Sequence, residues 1–231
     1  LFKGILPPFT NTQWEFYFNL YKEIPEYKLQ NFDMNLNVAI IDYGLGNLFS
    51  IKQACENVNL RPIITSDKKI ISKSDAIILP GVGAFGHAMK RLNENDLVSP
   101  LIDFAKSGKP FMGVCLGMQL LFTNSEEFGL NKGLNIIEGS IKKFPNNYNS
   151  LKIKSPQIQW NKINNNGTKI WNNSPLSDIK NGTYMYFVHS LYCQPKDKTN
   201  ILAYTNYMGF EYASAVIKDN IIGLQFHPEK S

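Results

Sequence analysis

The chain has 231 residues, of which 43% are hydrophobic and 19% are charged. This is the composition of a globular protein, and it excludes a disordered chain. The net charge of +5 is mild and scattered, so we expect no nucleic-acid partner. No apolar run is as long as a membrane span, and three widely spaced cysteines predict no disulfide framework. We therefore expect a soluble, cytoplasmic protein with no membrane contact.

The first 33 residues differ in composition from the rest of the chain. Residues 1–33 are aromatic and charged, and three prolines interrupt any long helix there. Directly after Met34, short apolar runs begin to alternate with helical stretches. We therefore expect residues 1–33 to be an appended segment outside the catalytic domain, and residues 34–231 to form that domain.

Short apolar runs alternate with helical stretches in the first half of the domain. Strands are predicted at Val38–Ile41, Pro62–Ile64, Ala76–Leu79 and Pro110–Val114, and helices at Ile51–Val58, Ala88–Leu92 and Leu97–Ser107. This alternation is typical of parallel strands connected by helices. In such sheets, binding sites lie at the carboxyl ends of the strands. Three glycine-rich corners are expected at those ends: 44–46, 81–86 and 113–117.

The second half of the domain predicts antiparallel hairpins attached to the same sheet. Strand-like runs occur at Gly139–Phe144, Tyr184–Val188, Ile201–Tyr204, Ser214–Lys218 and Ile221–Leu224. Asp219-Asn220 has the residue types of a two-residue turn between the last two runs. The expected fold is therefore α/β, with a mostly parallel central sheet flanked by helices and an added antiparallel portion.

The corner around Cys115 is the best candidate for an active site. Gly113 and Gly117 flank this cysteine two residues away on either side, between an apolar strand and the helix expected over Leu116–Phe122. This is the spacing of a nucleophile elbow, with cysteine in the place of serine. The positive end of a helix favours a thiolate. The alternative is a small buried cysteine in an α/β core.

A cysteine nucleophile needs a base, and the chain has three histidines. His227 is followed two residues later by Glu229, and on an extended segment both would share one face. The carboxylate could then orient the imidazole toward the thiol, as in a catalytic triad. His87 lies at a predicted helix start, and His189 follows a predicted strand and could line a pocket. The pairing of the elbow with His227 and Glu229 favours catalysis.

These motifs resemble class I glutamine amidotransferases. Several stretches are similar to the glutaminase subunit of imidazole glycerol phosphate synthase, an enzyme of histidine biosynthesis. They are 41–47, 80–85, 186–190, 210–214 and 225–231. The resemblance implies Cys115 as the nucleophile, with His227 and Glu229 completing the triad. It implies that glutamine is hydrolysed to glutamate and ammonia without a cofactor or metal.

The resemblance also implies the residues that surround the triad. Backbone N–H groups of Leu116 and Val82 would hold the oxyanion. The residues implied in substrate binding are Gly83, Gln119, His189, Ser190 and Leu191.

A partner subunit is implied as well, a cyclase with a (β/α)8-barrel fold that receives the ammonia. The residues implied at that interface are Asn47, Trp160, Asn161 and Lys230. The sequence stops at Ser231, where the family continues into a closing helix, so we expect the catalytic domain to lack that helix.

Three other functions stay open at this point. Gln159 and Met208 stand where the family usually has glycine, which leaves open a related glutaminase that feeds a cyclase-like barrel in surface-sugar amidation. The expected lack of the closing helix leaves open a catalytically silent regulatory subunit. A stand-alone cysteine hydrolase of γ-glutamyl substrates is the more distant possibility, and it would need no partner.

Overall fold

The computed structural model describes residues 36–165, 167, 171–172 and 174–231, so the segment expected over 1–33 lies outside the described residues. The strands are β1 (Asn37–Ile41), β2 (Arg61–Thr65), β3 (Ala76–Leu79), β4 (Phe111–Val114), β5 (Phe122–Ser125), β6 (Asn131–Lys132), β7 (Ile137–Lys143), β8 (Asn147–Tyr148), β9 (Leu151–Lys152), β10 (Gln157–Lys162), β11 (Tyr184–His189), β12 (Leu191–Pro195), β13 (Ile201–Tyr207), β14 (Phe210–Lys218) and β15 (Ile221–Leu224). The α-helices are α1 (Leu48–Asn57), α2 (Lys68–Lys73), α3 (Phe85–Glu94), α4 (Val98–Lys106) and α5 (Leu116–Leu120). Among the described residues, 3₁₀ turns include Lys198–Asn200 and Pro228–Lys230.

Eleven of the described strands form one sheet, in the order β2-β1-β3-β4-β15-β14-β12-β7-β5-β6, with β13 paired to β14. The strands β2, β1, β3, β4 and β15 run parallel to one another. Antiparallel pairs then continue the sheet through β14, β12 and β7. The predicted fold class is thereby confirmed, as is the two-residue turn Asp219-Asn220 that joins β14 to β15.

The central parallel strands β1, β3, β4 and β15 are buried on both faces, which explains why they are continuous apolar runs, whereas β2 lies at the edge of the sheet and is mostly exposed. Along β1, Val38 and Ile40 belong to the core on one face of the sheet. Ala39 and Ile41 belong to the core on the other face. Both cores are built from the same alternation in neighbouring strands, so a one-residue slip in register would move each side chain of a strand into the opposite core.

Two predictions about the elements were wrong. The helix after Cys115 ends at Leu120, and Phe122 begins β5, which pairs with β7. Apolar density alone cannot separate a buried strand from a buried helix. The second half of the chain also does not join one sheet throughout, because β11 pairs with β10 in a separate two-stranded sheet.

The predicted glycine-rich corners follow β1, β3 and β4, whose carboxyl ends lie side by side. The corners also touch one another. The hydroxyl of Tyr43 donates a hydrogen bond to the carbonyl oxygen of Pro80, at 2.8 Å. A Cβ added to Gly46 would lie 3.1 Å from Cβ of Pro80. The loop after β1 therefore supports the loop after β3, which borders the site described next.

Candidate active site

Cys115 lies at the corner between β4 and α5. Its backbone has φ +54° and ψ −111°, a combination that is rare for residues other than glycine. The flanking positions must be glycine, because a side chain there would clash with the backbone. A Cβ on Gly113 would lie 2.8 Å from Cα of Met118, and one on Gly117 would lie 1.8 Å from the carbonyl oxygen of Leu79. The strand-to-helix elbow predicted from the sequence is thus present, and its close packing fixes the position of the sulfur.

His227 and Glu229 meet just after β15. Nδ1 of His227 and Oε1 of Glu229 are 2.8 Å apart, and both side chains are buried. The extended geometry predicted for this segment is wrong, because Pro228–Lys230 forms a 3₁₀ turn. Proline has the backbone angle of a first helical position and lacks the N–H that would be unpaired there. The histidine and the carboxylate therefore contact each other across a turn.

The charges around His227 favour its protonated form. Burial lowers the pKa of His227, but the Cys115 sulfur and the Glu229 carboxylate oppose this effect and raise the pKa to about 10. Nε2 of His227 is buried and makes no hydrogen bond of standard geometry within the described residues. The sulfur is nevertheless near enough to act on the pKa. The arrangement suits an imidazolium whose Nε2 is left for a substrate.

His189 is chemically different from His227. Burial is the main reason that its pKa falls to about 4; a hydrogen bond to the Leu191 carbonyl opposes this effect, and the neighbouring His227 adds to it. Nδ1 of His189 lies 2.7 Å from the carbonyl oxygen of Leu191, and Nε2 lies 3.1 Å from the hydroxyl of Tyr212. Both ring nitrogens are occupied, so this neutral ring is poorly suited to act as a second base.

A cavity of about 450 Å³ opens beside Cys115 and His227. Every residue that the sequence analysis assigned to the oxyanion or to substrate binding lines it: Val82, Gly83, Leu116, Gln119, His189, Ser190 and Leu191. Glu229 does not line this cavity and acts on it through its contact with His227. The structure thus brings together residues from both ends of the domain around one space.

Comparison with known proteins identifies the family. Residues 39–231 match the family described as glutamine amidotransferase class-I. The chain belongs to this family. This glutamine amidotransferase is 42% identical over 196 residues to the imidazole glycerol phosphate synthase subunit HisH of Geobacter metallireducens, with 84% of this chain and 91% of the relative covered. It is 41% identical over 200 residues to the HisH subunit of Aquifex aeolicus, with coverages of 85% and 90%. Within the class it therefore belongs with the HisH subunits.

Solved structures share the fold of this amidotransferase. One described as a glutamine amidotransferase has a TM-score of 0.63 at 15% identity and covers 84% of this chain and 91% of its own. The structure of PurLQS from Thermotoga maritima has a TM-score of 0.62 at 20% identity, with coverages of 85% and 89%. At these identities the likeness concerns the fold alone.

Sequence reasoning missed an acidic residue of the amidotransferase site. Glu127 lines the cavity, and its Oε2 accepts a hydrogen bond from the backbone N–H of Phe85 at 2.6 Å. It is the one carboxylate among the described residues that line this cavity. The adjacent pair Glu126-Glu127 is typical of a solvated surface, so no local pattern could have singled it out. Other missed lining residues are Ala84, Phe128, Pro156 and Val188.

Two of the four residues expected at a partner interface are exposed and make aromatic contacts. Trp160 is 50% exposed, and its ring packs edge-on to Tyr186 with centroids 5.9 Å apart. Lys230 is exposed, with Nζ 5.4 Å from the centroid of the same Tyr186 ring. Both side chains are therefore accessible to another molecule.

The other two make hydrogen bonds within the amidotransferase. Asn47 is exposed, but its Oδ1 accepts from the backbone N–H of Ser50 and caps α1, at 3.3 Å. Asn161 is partly buried, and its Nδ2 donates to the carbonyl oxygen of Asn206 at 2.9 Å. Each has a structural role in addition to any contact with a partner.

The described part of the chain contains no group of three or more His, Cys, Asp or Glu side chains that could hold a metal ion. None of its helices is long and apolar enough to cross a membrane.

Proposed function

We propose that this chain is the glutaminase subunit of an imidazole glycerol phosphate synthase and that Cys115, His227 and Glu229 perform the hydrolysis. The observation that carries the proposal is that Cys115 and His227 line one cavity, with Glu229 held against His227, in a chain 42% identical to a HisH subunit. A thiol, an imidazole and a carboxylate in this arrangement form a nucleophile, a proton carrier and an orienting group. Three free cysteines fit the reducing cytoplasm, where we place the protein.

The first half of the reaction forms a thioester. The Cys115 thiolate attacks the carboxamide carbon of glutamine, a C–S bond forms, and the C=O electron pair moves onto oxygen. Backbone N–H groups of Leu116 and Val82 stabilise this oxyanion. His227 then donates its proton to the amide nitrogen, the C–N bond breaks, and ammonia leaves.

The second half consumes water. Acylation removes the negative charge of the sulfur, which is one of the groups that raise the pKa of His227. The neutral imidazole is then a better base and accepts a proton from water as the water oxygen attacks the thioester carbon. The C–S bond breaks, glutamate leaves, and the thiolate–imidazolium pair is restored.

Glu127 is suited to recognise the amino-acid end of glutamine. Its carboxylate lines the cavity, and the substrate's α-ammonium group is a cation that needs an acidic partner. Oε2 is held by the Phe85 N–H, so the carboxylate is positioned before substrate arrives.

Replacement of Glu127 by glutamine should weaken substrate binding more than chemistry. The amide keeps an acceptor for the Phe85 N–H but loses the charge, and a hydrogen bond to a charged group is worth about 1.5–3 kcal/mol. We expect KM for glutamine to rise about tenfold or more, with a smaller change in kcat. The matched control is Glu126→Gln, because Glu126 is exposed and pairs with Lys142. Equal KM values in the two variants would exclude Glu127 from substrate binding.

The proposed partner is a cyclase subunit with a (β/α)8-barrel fold. It would use the ammonia to make imidazole glycerol phosphate and an aminoimidazole carboxamide ribotide. Ile158 and Trp160 support a protein contact, since both lie on one face of β10 and are 59% and 50% exposed. The relatives are named as subunits of a synthase, which fits a second subunit.

Lys230 should couple the partner to the triad. It follows Glu229 directly and is exposed, so a carboxylate of the partner can pair with it. We expect Lys230→Ala to reduce stimulation of the glutaminase by the partner more than it reduces basal activity. Glutamine hydrolysis is measured with and without saturating barrel subunit and cyclase ligand, and Lys106→Ala, exposed on α4, is the control. Equal proportional losses in both states would mean that Lys230 only supports the triad locally.

The proposed function is tested by co-purification with candidate barrel subunits, followed by a glutaminase assay. We expect a stable complex with a cyclase barrel and glutamine hydrolysis that increases in the complex. A stand-alone hydrolase would show full activity without any barrel, and a silent subunit would show none with it. If the chain binds only a cyclase-like barrel of sugar amidation, its pathway is surface-sugar amidation and not histidine biosynthesis, while its activity as a glutaminase stands.

A further inference from the structure

Gln225 is a fully buried polar residue that the mechanism above does not use. It follows β15 directly, and its side chain lies between those of Cys115 and Gln119. Its Nε2 lies 3.7 Å from Sγ of Cys115, a hydrogen-bond distance for sulfur. Its Oε1 lies 2.9 Å from Nε2 of Gln119. A single amide thus contacts both the nucleophile and a residue of the cavity wall.

The direction of these hydrogen bonds is fixed by a backbone carbonyl. Nε2 of Gln119 lies 3.5 Å from the carbonyl oxygen of Leu191, which can only accept. The amino end of the Gln119 amide must therefore face that carbonyl and Gln225. An amide has one accepting end and one donating end, so Gln225 must offer Oε1 to Gln119 and Nε2 to the sulfur. Its backbone is anchored as well, since its N–H donates to the Ser214 carbonyl at 2.9 Å.

The sulfur of Cys115 then has a different partner for each of its charge states. As a thiol it can donate to the carbonyl oxygen of Val188, 3.9 Å away. As a thiolate it can only accept, and the Gln225 amide is a donor placed to meet it. A hydrogen bond to the charged form favours that form. A methionine could fill similar space in the core, but it could not make this contact.

We propose that Gln225 stabilises the Cys115 thiolate by donating a hydrogen bond from Nε2 to the sulfur, while its Oε1 fixes the orientation of the Gln119 amide. The proposal deepens the proposed function, because it concerns the nucleophile of that reaction. With its amino end held by Gln225 and Leu191, Gln119 presents its carbonyl oxygen as the free end of the amide. Such an acceptor is suited to an N–H group of the substrate.

The test is the rate of Cys115 alkylation by iodoacetamide as a function of pH, followed by mass spectrometry. The other cysteines do not compete: burial, with a smaller effect of Glu56, raises the pKa of Cys55 to about 12, and burial raises that of Cys193 further. The variants are Gln225→Met, which removes the donor, and Gln157→Met, a control that removes another fully buried amide. No glutamine is used, so the result is independent of whether the chain is a glutaminase.

We expect the pH midpoint of Cys115 alkylation to lie about one pH unit higher in Gln225→Met than in the wild type, since one hydrogen bond to a charged group is lost. Below the wild-type midpoint the variant should react about tenfold more slowly, and at high pH the two rates should be similar. Gln157→Met should follow the wild-type profile. An unchanged profile in Gln225→Met, or equal slowing at every pH, would overturn the proposal, because a misplaced sulfur would be slower at all pH values. If Gln225→Met does not fold, Gln225→Glu decides by the same criterion, since it keeps the shape and replaces the donor by an acceptor.

Discussion

Replacement of Cys115 by serine should abolish glutamine hydrolysis while leaving the fold and partner binding intact. Serine is nearly isosteric, so the close packing of the elbow is kept. Its hydroxyl is far less acidic than a thiol and is not ionised beside His227. Loss of the nucleophile of a triad costs about 10³-fold or more in kcat. The variant should still bind the barrel subunit, because its surface is unchanged.

Three measurements check this prediction. Glutamate release by the complex reports the activity, thermal melting reports the fold, and co-purification reports binding to the barrel subunit. Cys193→Ser is the matched control, because the Cys193 thiol donates to the carbonyl oxygen of Ala213 at 3.3 Å and a hydroxyl can do the same. That control should keep its glutaminase activity. Full hydrolysis by the Cys115 variant would refute the assignment of the nucleophile.

Glu229→Gln is expected to have the second largest effect. The amide keeps the shape of the carboxylate but removes the charge that stabilises the His227 imidazolium, so the pKa of His227 should fall. Loss of the equivalent charge in a serine triad lowers kcat by about 10⁴, and we expect a loss of about 10²–10⁴ here. Thermal stability should change little, because the lost ion pair is offset by removal of a buried charge whose Oε2 is unpaired in the described residues.

An NMR titration of the His227 ring and a steady-state assay measure the two effects of this variant separately. Glu211→Gln is the control, since Glu211 is an exposed carboxylate on β14. It should alter neither the His227 titration nor turnover. An unchanged turnover in Glu229→Gln would mean that another group orients the histidine.

The buried parallel strands could be predicted closely from the sequence. Ala76–Leu79 and Ile221–Leu224 begin and end where their apolar runs do, because both faces of these strands are covered. By contrast, β10 was missed. In Gln157–Lys162 only Gln157 is buried, so no apolar periodicity marks the strand. Its pairing with β11 is what makes it a strand.

The proposed catalytic residues could be picked out from the sequence because such chemistry leaves local patterns. Glycines must flank Cys115, since Leu79 and Met118 occupy the space that any Cβ would need. The turn at Pro228 places Glu229 beside His227 without help from distant residues. These patterns are visible within a few positions of the chain.

The other side chains of the site depend on tertiary contacts. Glu127 reaches the cavity because the N–H of Phe85, at the start of α3, holds it there. Gln225 matters because Gln119 and Leu191 fix the direction of its amide. Glu127 is not marked by its neighbours in sequence. Gln225 opens the stretch 225–231, but no local pattern relates its side chain to the Cys115 sulfur, so that contact is visible only in the folded structure.

The most direct test of the central claim is covalent labelling with a diazoketone analogue of glutamine, in the presence of the barrel subunit. In the analogue, the diazo carbon should take a proton from the His227 imidazolium, after which the Cys115 thiolate forms a C–S bond to that carbon, the C–N bond breaks and N₂ leaves. The remainder then stays bound as a stable thioether. We predict one label per chain, on the peptide that contains Cys115, with protection by excess glutamine and no label in Cys115→Ser. Labelling that persists in Cys115→Ser, or that glutamine does not slow, would contradict the account.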